Sequence, residues 1–505
     1  MTDDQIDALA ISLLQRMLTS CKWLSAQYIL LCLVPFVWSI LPSGLPLYIA
    51  IYTVLYNFYW ELCPKKERSK HLWKPYVTYL VIGALCSVVG LIHFSFFGLL
   101  LSPLYGALCY VVHKQWKLKR EKSFSTIGKM VTILGICVAI VLLKVISVSW
   151  TCKDQGNLQN EKTEILERRN YLIDKLMVKP NKVLQDMPAI IGKQFQGEWA
   201  LYTCSMFTKS LVNISRLYPE TREENLPVID SLIHIVLSKE IREYDTNRWK
   251  EDALTTLDSN TSHLSYISHL AWMIGGYKSI GGSSQYDNLY KSLCAALNRR
   301  ILQSESLNIS TYPGEPIYIP DMLVAIVALK EYALSDKEKY ESTVKKWIEK
   351  AKSQWLDPET GLLVSFLNTD GSQMTSAPIK GSYSALNSYY LTQIDSDFAK
   401  DQYARLKSNF MRTSFLTGLR EYRSSNPILS LDVDAGPILL GLSPSGTAFV
   451  TGPATIYRDN TVRTGLLRTA EIAGNTVSWN NKRHYILADL SLVGEAIMLA
   501  MRTTL

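Results

Sequence analysis

Beyond residue 150 the chain has little cysteine: Cys152, Cys204 and Cys294 are the only ones of nine to fall there. Three thiols cannot all pair, and none stands in CxxC or zinc-ligand spacing, so a disulfide framework and a structural zinc site are both excluded. Burial in the core is the role expected of Cys204 and Cys294. Strand-like alternation is equally scarce. No glycine-rich loop lies between a strand and a helix, which removes nucleotide cofactors, and no spacing of the zinc or calcium kind appears, so neither a metal nor a cofactor is expected. Charge of one sign is also missing from this region. Residues 1–150 carry 14 Lys and Arg against 6 Asp and Glu, and the whole-chain totals of 53 and 45 leave 39 of each for residues 151–505. A nucleic-acid partner, which needs a basic stripe, is therefore not expected.

The first 150 residues are rich in long apolar runs. A bilayer core of about 30 Å needs roughly 20 such residues at helical rise, and five stretches qualify: 23–41, 45–63, 75–95, 96–113 and 128–149. The loop after the second span carries Lys65, Lys66, Arg68, Lys70 and Lys74, and the loop after the fourth carries Lys114, Lys117, Lys119, Arg120 and Lys122. Short basic loops stay cytoplasmic, which puts the N-terminus inside and everything after Trp150 outside. Residues 1–22 have neither the basic start nor the small-residue cleavage site of a signal peptide and read as an interfacial amphipathic helix. No charge has to lie at mid-depth within the spans. Anchoring in the bilayer, rather than transport, is the expected role.

Residues 151–505 show helical periodicity that alternates in character. After a linker at 151–195 that includes the first outer helix, one set of helices is apolar on most faces, near 198–216, 261–277, 320–334, 381–394, 435–450 and 485–501. The other set is amphipathic, at 161–178, 226–243, 284–303, 337–355, 397–411 and 458–473. Six helical hairpins at a spacing of 50 to 63 residues predict an all-α fold, an (α/α)6 toroid over 196–505. In such a toroid the inner helices run parallel, so their N-terminal loops gather at one mouth.

Acids and aromatics collect in those loops. Tyr312-Pro313-Gly314-Glu315-Pro316-Ile317-Tyr318 precedes the third inner helix, whose first turn holds Asp321. Three prolines through Pro320 stiffen this loop around Glu315. Asp432 and Asp434 stand at the start of the fifth, with Asp434 also suited to cap it. The other inner helices open with Glu198 and Trp199, with Asn260 and His263, with Lys380, Ser382 and Tyr383, and with Arg483, His484 and Tyr485.

The segments YPGEPIYIPDMLVAIVAL, GSYSALNSYYL, IDSDFAKDQY and LDVDAGPILLG resemble the membrane-associated relatives of the linalool dehydratase/isomerase family. The resemblance covers roughly residues 195–505. It implies an (α/α)6 barrel and the addition and removal of water at a terpenoid alcohol, by acid–base chemistry through Asp, His, Tyr and Cys side chains.

Together these features predict a membrane-tethered extracytoplasmic acid–base enzyme, closer to a lyase or isomerase than to a hydrolase. Its substrate is expected to be an apolar alcohol or a lipid-linked molecule, and its cleft to lie at the inner-helix N-termini. Glu315, off the helix and among tyrosines, is the expected acid. Asp321, Asp432 and Asp434 are the expected bases or cation stabilisers, favoured as anions by the helix ends. Tyr312, Tyr318, His263, Tyr383 and His484 are expected to bind substrate. Two alternatives follow from the same residues: a glycoside hydrolase or polysaccharide lyase using paired carboxylates on a glycan, and a ligand-binding or scaffold domain without turnover.

Overall fold

The computed structural model describes residues 158–187, 195–336, 339–413, 416–424, 429–432, 435–474, 476–485, 488 and 491–505. The five expected spans, the N-terminal amphipathic segment and Asp434 lie outside these residues. Among the described residues no helix is long and apolar enough to cross a membrane. The chain divides into two compact units, residues 1–153 with 475–486 and residues 154–474 with 487–505. The described part of the first is one antiparallel hairpin, β7 (Thr476–Trp479) with β8 (Lys482–Tyr485).

The second unit is mostly helical. Its elements are α1 (Lys162–Leu176), α2 (Pro180–Gln185), α3 (Gln196–Leu217), α4 (Arg222–Leu237), α5 (Lys239–Trp249), α6 (Leu264–Ser279) and α7 (Asp287–Gln303), followed by α8 (Ile319–Ser335), α9 (Glu341–Gln354), α10 (Gly381–Leu391), α11 (Ser396–Phe410), α12 (Pro444–Ile456), α13 (Asn460–Gly474) and α14 (Leu492–Arg502). Three two-stranded antiparallel pairs interrupt them: β1 (Ile317–Tyr318) with β2 (Phe366–Leu367), β3 (Met411–Thr413) with β4 (Thr417–Leu419), and β5 (Leu429–Asp432) with β6 (Gly436–Leu439).

Two kinds of helix result from two kinds of sequence. In α9 the buried residues are Thr343, Val344, Trp347, Ile348 and Ala351, one stripe at helical spacing, while lysines occupy the opposite face. In α10 every residue from Gly381 to Leu391 is buried, as expected of a helix surrounded by protein. The surrounded helices pack in a closed cycle: α3 on α6, α6 on α8, α8 on α10, α10 on α12, α12 on α14, and α14 back on α3. The amphipathic ones lie against this cycle, α1 on α14 and α3, α4 on α3 and α6, α7 on α6 and α8, α9 on α8, α11 on α10 and α13 on α12.

Four of the six surrounded helices begin within about three residues of their expected starts. The fifth and sixth begin later, at Pro444 and Leu492 rather than 435 and 485. Residues 429–432 and 436–439 pair as β5 and β6 instead. Gly436 at φ +77°, Leu440 at +52° and Gly441 at +77° turn the chain there, and these left-handed conformations interrupt a helix. The cap of α12 is consequently Ser443, whose side chain accepts from the Gly446 amide, and not Asp434. Pro437 pairs with Leu431 in the hairpin.

The cycle is tied shut by buried ions. Glu161, just before α1, accepts from Arg463 Nη1 at 2.6 Å and from Arg502 Nη2 at 2.8 Å. Arg502 also reaches Glu164 at 2.8 Å. Arg168, fully buried, contacts Glu164, Glu471 and Glu495 at 3.0, 3.0 and 2.7 Å. Burial alone would raise the Glu161 carboxyl, but Arg502 and Arg463 outweigh it and hold the group below its ordinary value.

Replacing Arg502 by Met removes one of the two guanidinium partners of Glu161 and one partner of Glu164, and is expected to lower stability by up to about 3 kcal/mol, read by chemical denaturation. The Glu161 contribution should be complete above the unfolded carboxyl value of roughly 4.3 and fade as pH falls through the lower folded value, because the depressed group must be protonated. In the Glu161→Gln chain that part of the acid-side loss should disappear.

Candidate active site

Glu198 and Asp321 occupy the same place in two helices, the third residue of α3 and of α8. Backbone N–H groups are unpaired in a first turn, and the helix dipole favours an anion there. Asp321 is buried, at 1% exposure. Its Oδ1 accepts from the Tyr202 hydroxyl at 2.5 Å and its Oδ2 from the Thr311 hydroxyl at 3.0 Å. Tyr202 stands one turn beyond Glu198. In the packing cycle α3 and α8 are separated by α6, so the Tyr202–Asp321 contact passes through the interior.

Both carboxyls act on the same phenols. Tyr202 is held well above the ordinary tyrosine range by burial first, then by Asp321, Tyr318, Glu198 and Tyr390. Burial also raises Tyr312 and Tyr244, and Glu198 and Asp321 reinforce the shift in each. The cluster therefore comprises two acids within a cage of tyrosines that keep their protons at neutral pH. Below it lies His269 of α6, fully buried, with its ring 4.3 Å from that of Tyr202 and its Nδ1 2.9 Å from Ser205 Oγ. Burial pushes the imidazole down to about 3, so it stays neutral. Farther along, Lys209 pairs with Glu331 at 3.4 Å, again across α6.

The rim carries the residues of the 304–318 loop. Tyr312 is buried beneath the Arg248 guanidinium, 4.2 Å from its ring centre. The same guanidinium pairs with Glu315 at 2.9 Å, and the Glu315 side chain is 50% exposed. The expectation of a Glu315 enclosed among tyrosines is thus corrected: its side chain is half exposed and bound to arginine. Tyr318 meets Phe366 and Tyr383 at 5.2 and 5.6 Å, and the Lys380 ammonium lies 5.1 Å from the Tyr383 ring.

Asp432, on β5, pairs with Lys380 at 2.6 Å and accepts from the Ala435 amide at 3.0 Å. These bonds fasten the hairpin beside the start of α10. Gly381 opens that helix because its amide bonds to the Glu421 carbonyl at 2.9 Å, and an added Cβ would stand 1.9 Å from the Arg420 carbonyl oxygen. Glu421 supplies the cap, accepting from the Ser382 amide and hydroxyl at 3.2 and 2.8 Å. Its carboxyl is raised by burial.

His263 is fully buried in the left-handed conformation at the start of α6. Its Nδ1 meets Asp245 at 2.6 Å, and its Nε2 lies 3.4 Å from both Glu251 and Thr256. With both nitrogens engaged it braces α5 against α6, which is not the geometry of a substrate ligand. His484, expected at the start of the sixth inner helix, instead lies on β8 in the first unit, paired with Val477 of β7. The two buried thiols, Cys204 and Cys294, are both free. Burial pushes Cys204 up to about 12, leaving it protonated and inert.

Of the residues expected from sequence, Asp321, Tyr312, Tyr318 and Tyr383 therefore fall in or beside one cluster. Tyr202, His269 and Tyr390 join it unannounced, and Glu198, noted as an inner-helix opening residue, is as central as Asp321. If His269 is as enclosed as its contacts imply, its imidazole signals should not move between pH 8 and pH 4 in a histidine NMR titration. A midpoint near 6.5, the ordinary value, is the contrary result. Comparison with models of protein families and with curated proteins finds no match to this chain.

Proposed function

We propose that the chain is a membrane-tethered acid–base enzyme whose reacting centre is Asp321, Tyr202 and Glu198. In this reading the closed helix cycle is an (α/α)6 barrel similar to that of the linalool dehydratase/isomerase family, held outside the membrane by the five apolar segments of residues 23–149. The substrate is an apolar, uncharged alcohol reaching the barrel from the bilayer. The observation that carries the proposal is the 2.5 Å bond from the Tyr202 hydroxyl to a buried carboxylate in the interior.

The chemistry divides between the two acids. Asp321, fixed by two hydroxyl donors and the first turn of α8, is the anion. Glu198, partly exposed on the first turn of α3, exchanges its proton with solvent and gives it to the departing hydroxyl, which leaves as water. As positive charge grows on carbon, Asp321 stabilises it. Tyr202 then takes the neighbouring C–H proton while passing its own to Asp321, and the alkene forms. Hydration runs the same steps in reverse. The tyrosine lining supplies a largely apolar wall, and nearby cations are engaged elsewhere, Arg248 with Glu315, Lys380 with Asp432 and Lys209 with Glu331. That arrangement favours a neutral substrate over a phosphate ester.

General acid–base groups contribute about 10²–10⁴-fold in rate. Full-length protein in detergent, incubated with short allylic isoprenoid alcohols, should release alkene or rearranged alcohol detectable by gas chromatography. Asp321→Asn, Glu198→Gln and Tyr202→Phe should each reduce that rate at least 100-fold while the far-ultraviolet circular dichroism is unchanged. Turnover indifferent to all three sinks the assignment, and release of reducing ends from a polysaccharide instead would identify a glycan-cleaving enzyme.

A further inference from the structure

Beneath the Asp321 cluster, three polar atoms on neighbouring side chains have nothing to bond to among the described residues. His269 Nε2, Trp272 Nε1 and Tyr390 Oη are each shielded from solvent and have no hydrogen-bond partner among the described residues. They are close neighbours. The His269 and Trp272 rings are 6.1 Å apart on α6, and the Tyr390 ring of α10 stands edge-on to Trp272 at 5.6 Å. Helices α6 and α10 are separated in the packing cycle by α8, so this contact also lies in the interior. Folded proteins leave few buried polar atoms unsatisfied, and three in one patch call for a chemical explanation.

Ser205 Oγ lies 3.1 Å from the Tyr202 carbonyl oxygen and 2.9 Å from His269 Nδ1, and its single hydrogen can serve either. The neutral imidazole accordingly presents at Nε2 a lone pair in one tautomer and an N–H in the other. Trp272 Nε1 is a donor only, and the Tyr390 hydroxyl can do either. An ammonium would oppose the indole N–H, and a carbonyl or phosphate, which only accepts, suits one tautomer alone. A hydroxyl satisfies the set in both, accepting from Trp272 and donating to His269 Nε2 or to Tyr390.

We propose that His269, Trp272 and Tyr390 form a second, deeper subsite for a hydroxyl, so that the molecule entering the ring carries two uncharged polar groups, one at Asp321 and Tyr202 and the other here. This rests on the reading of the Asp321 cluster as the reacting centre and adds that the substrate is a diol or a similar bifunctional alcohol.

The test measures binding without turnover. Titration calorimetry on the full-length Asp321→Asn protein in detergent compares a series of terminal diols with mono-alcohols of the same chain length. A site built to bond a hydroxyl discriminates strongly against the analogue lacking it, and the best diol is expected to bind at least tenfold tighter than its mono-alcohol. Tyr390→Phe keeps the ring and removes only the hydroxyl, Trp272→Phe removes the indole N–H together with the pyrrole part of the ring, and each should shrink that preference to threefold or less. Equal binding of diol and mono-alcohol, no diol binding at all, or a preference that survives both substitutions overturns the subsite. Turnover of simple alcohols that depends on Asp321 but is accompanied by no diol preference removes the subsite and leaves the acid–base reading intact. A diol preference without any turnover does the opposite.

Discussion

The architecture depends on closing a cycle, and a cycle of helices has one seam where the chain's end must meet its beginning. Here the seam is chemical as well as steric. Apolar surface brings α14 against α3, but apolar surface is nonspecific about register. The ions are not. Glu161 receives two guanidinium groups from helices at the far end of the chain, and Arg168 is shared among three carboxylates. A slip of α14 by one turn would leave several charges buried without partners, each costing far more than the intact network contributes. The seam thus fixes the rotation of the last helix and, through it, the shape of the space that the others enclose.

That enclosed space is where helices that do not touch as neighbours meet through side chains. Tyr202 reaches Asp321 and Lys209 reaches Glu331 past α6, and Trp272 reaches Tyr390 past α8. Burial makes these contacts consequential. It keeps the phenols protonated and the imidazole neutral, so proton positions are set by the surroundings before any ligand arrives. Outside this space the polar networks serve to hold loops: Asp432 with Lys380, Glu421 at the start of α10, and His263 between α5 and α6.

The alternation of helix types was legible because it is written in burial. Helices covered on one side need a charged face, as α9 has, and helices covered all round do not, as in α10. The β5–β6 hairpin was not legible from periodicity, since a short apolar run such as Pro437–Leu440 suits strand and helix alike. Gly436 and Gly441 were the available signals. At the site, Glu198, Tyr202, Ser205 and Lys209 recur at intervals of four, three and four, a polar stripe along an otherwise apolar helix. That stripe marks an inward face but cannot say which residue of a distant helix stands opposite. Glu315 misled for a related reason. Prolines stiffen its loop, yet a stiff backbone does not determine which cation the side chain finds, and Arg248, 67 positions away, takes it.

The distance spanned by the seam has a consequence for how the protein is made. Glu161 and Arg502 are 341 positions apart in the chain. During vectorial synthesis, the flank of α3 that α14 covers, with the charges beside it, has no permanent neighbour until α14, the last helix of the cycle, has been made. Contacts so remote in sequence form late and slowly. Until then the cycle is an open arc of apolar helices, and protection of that arc, rather than the stability of the closed cycle, becomes the demanding step in obtaining the folded protein.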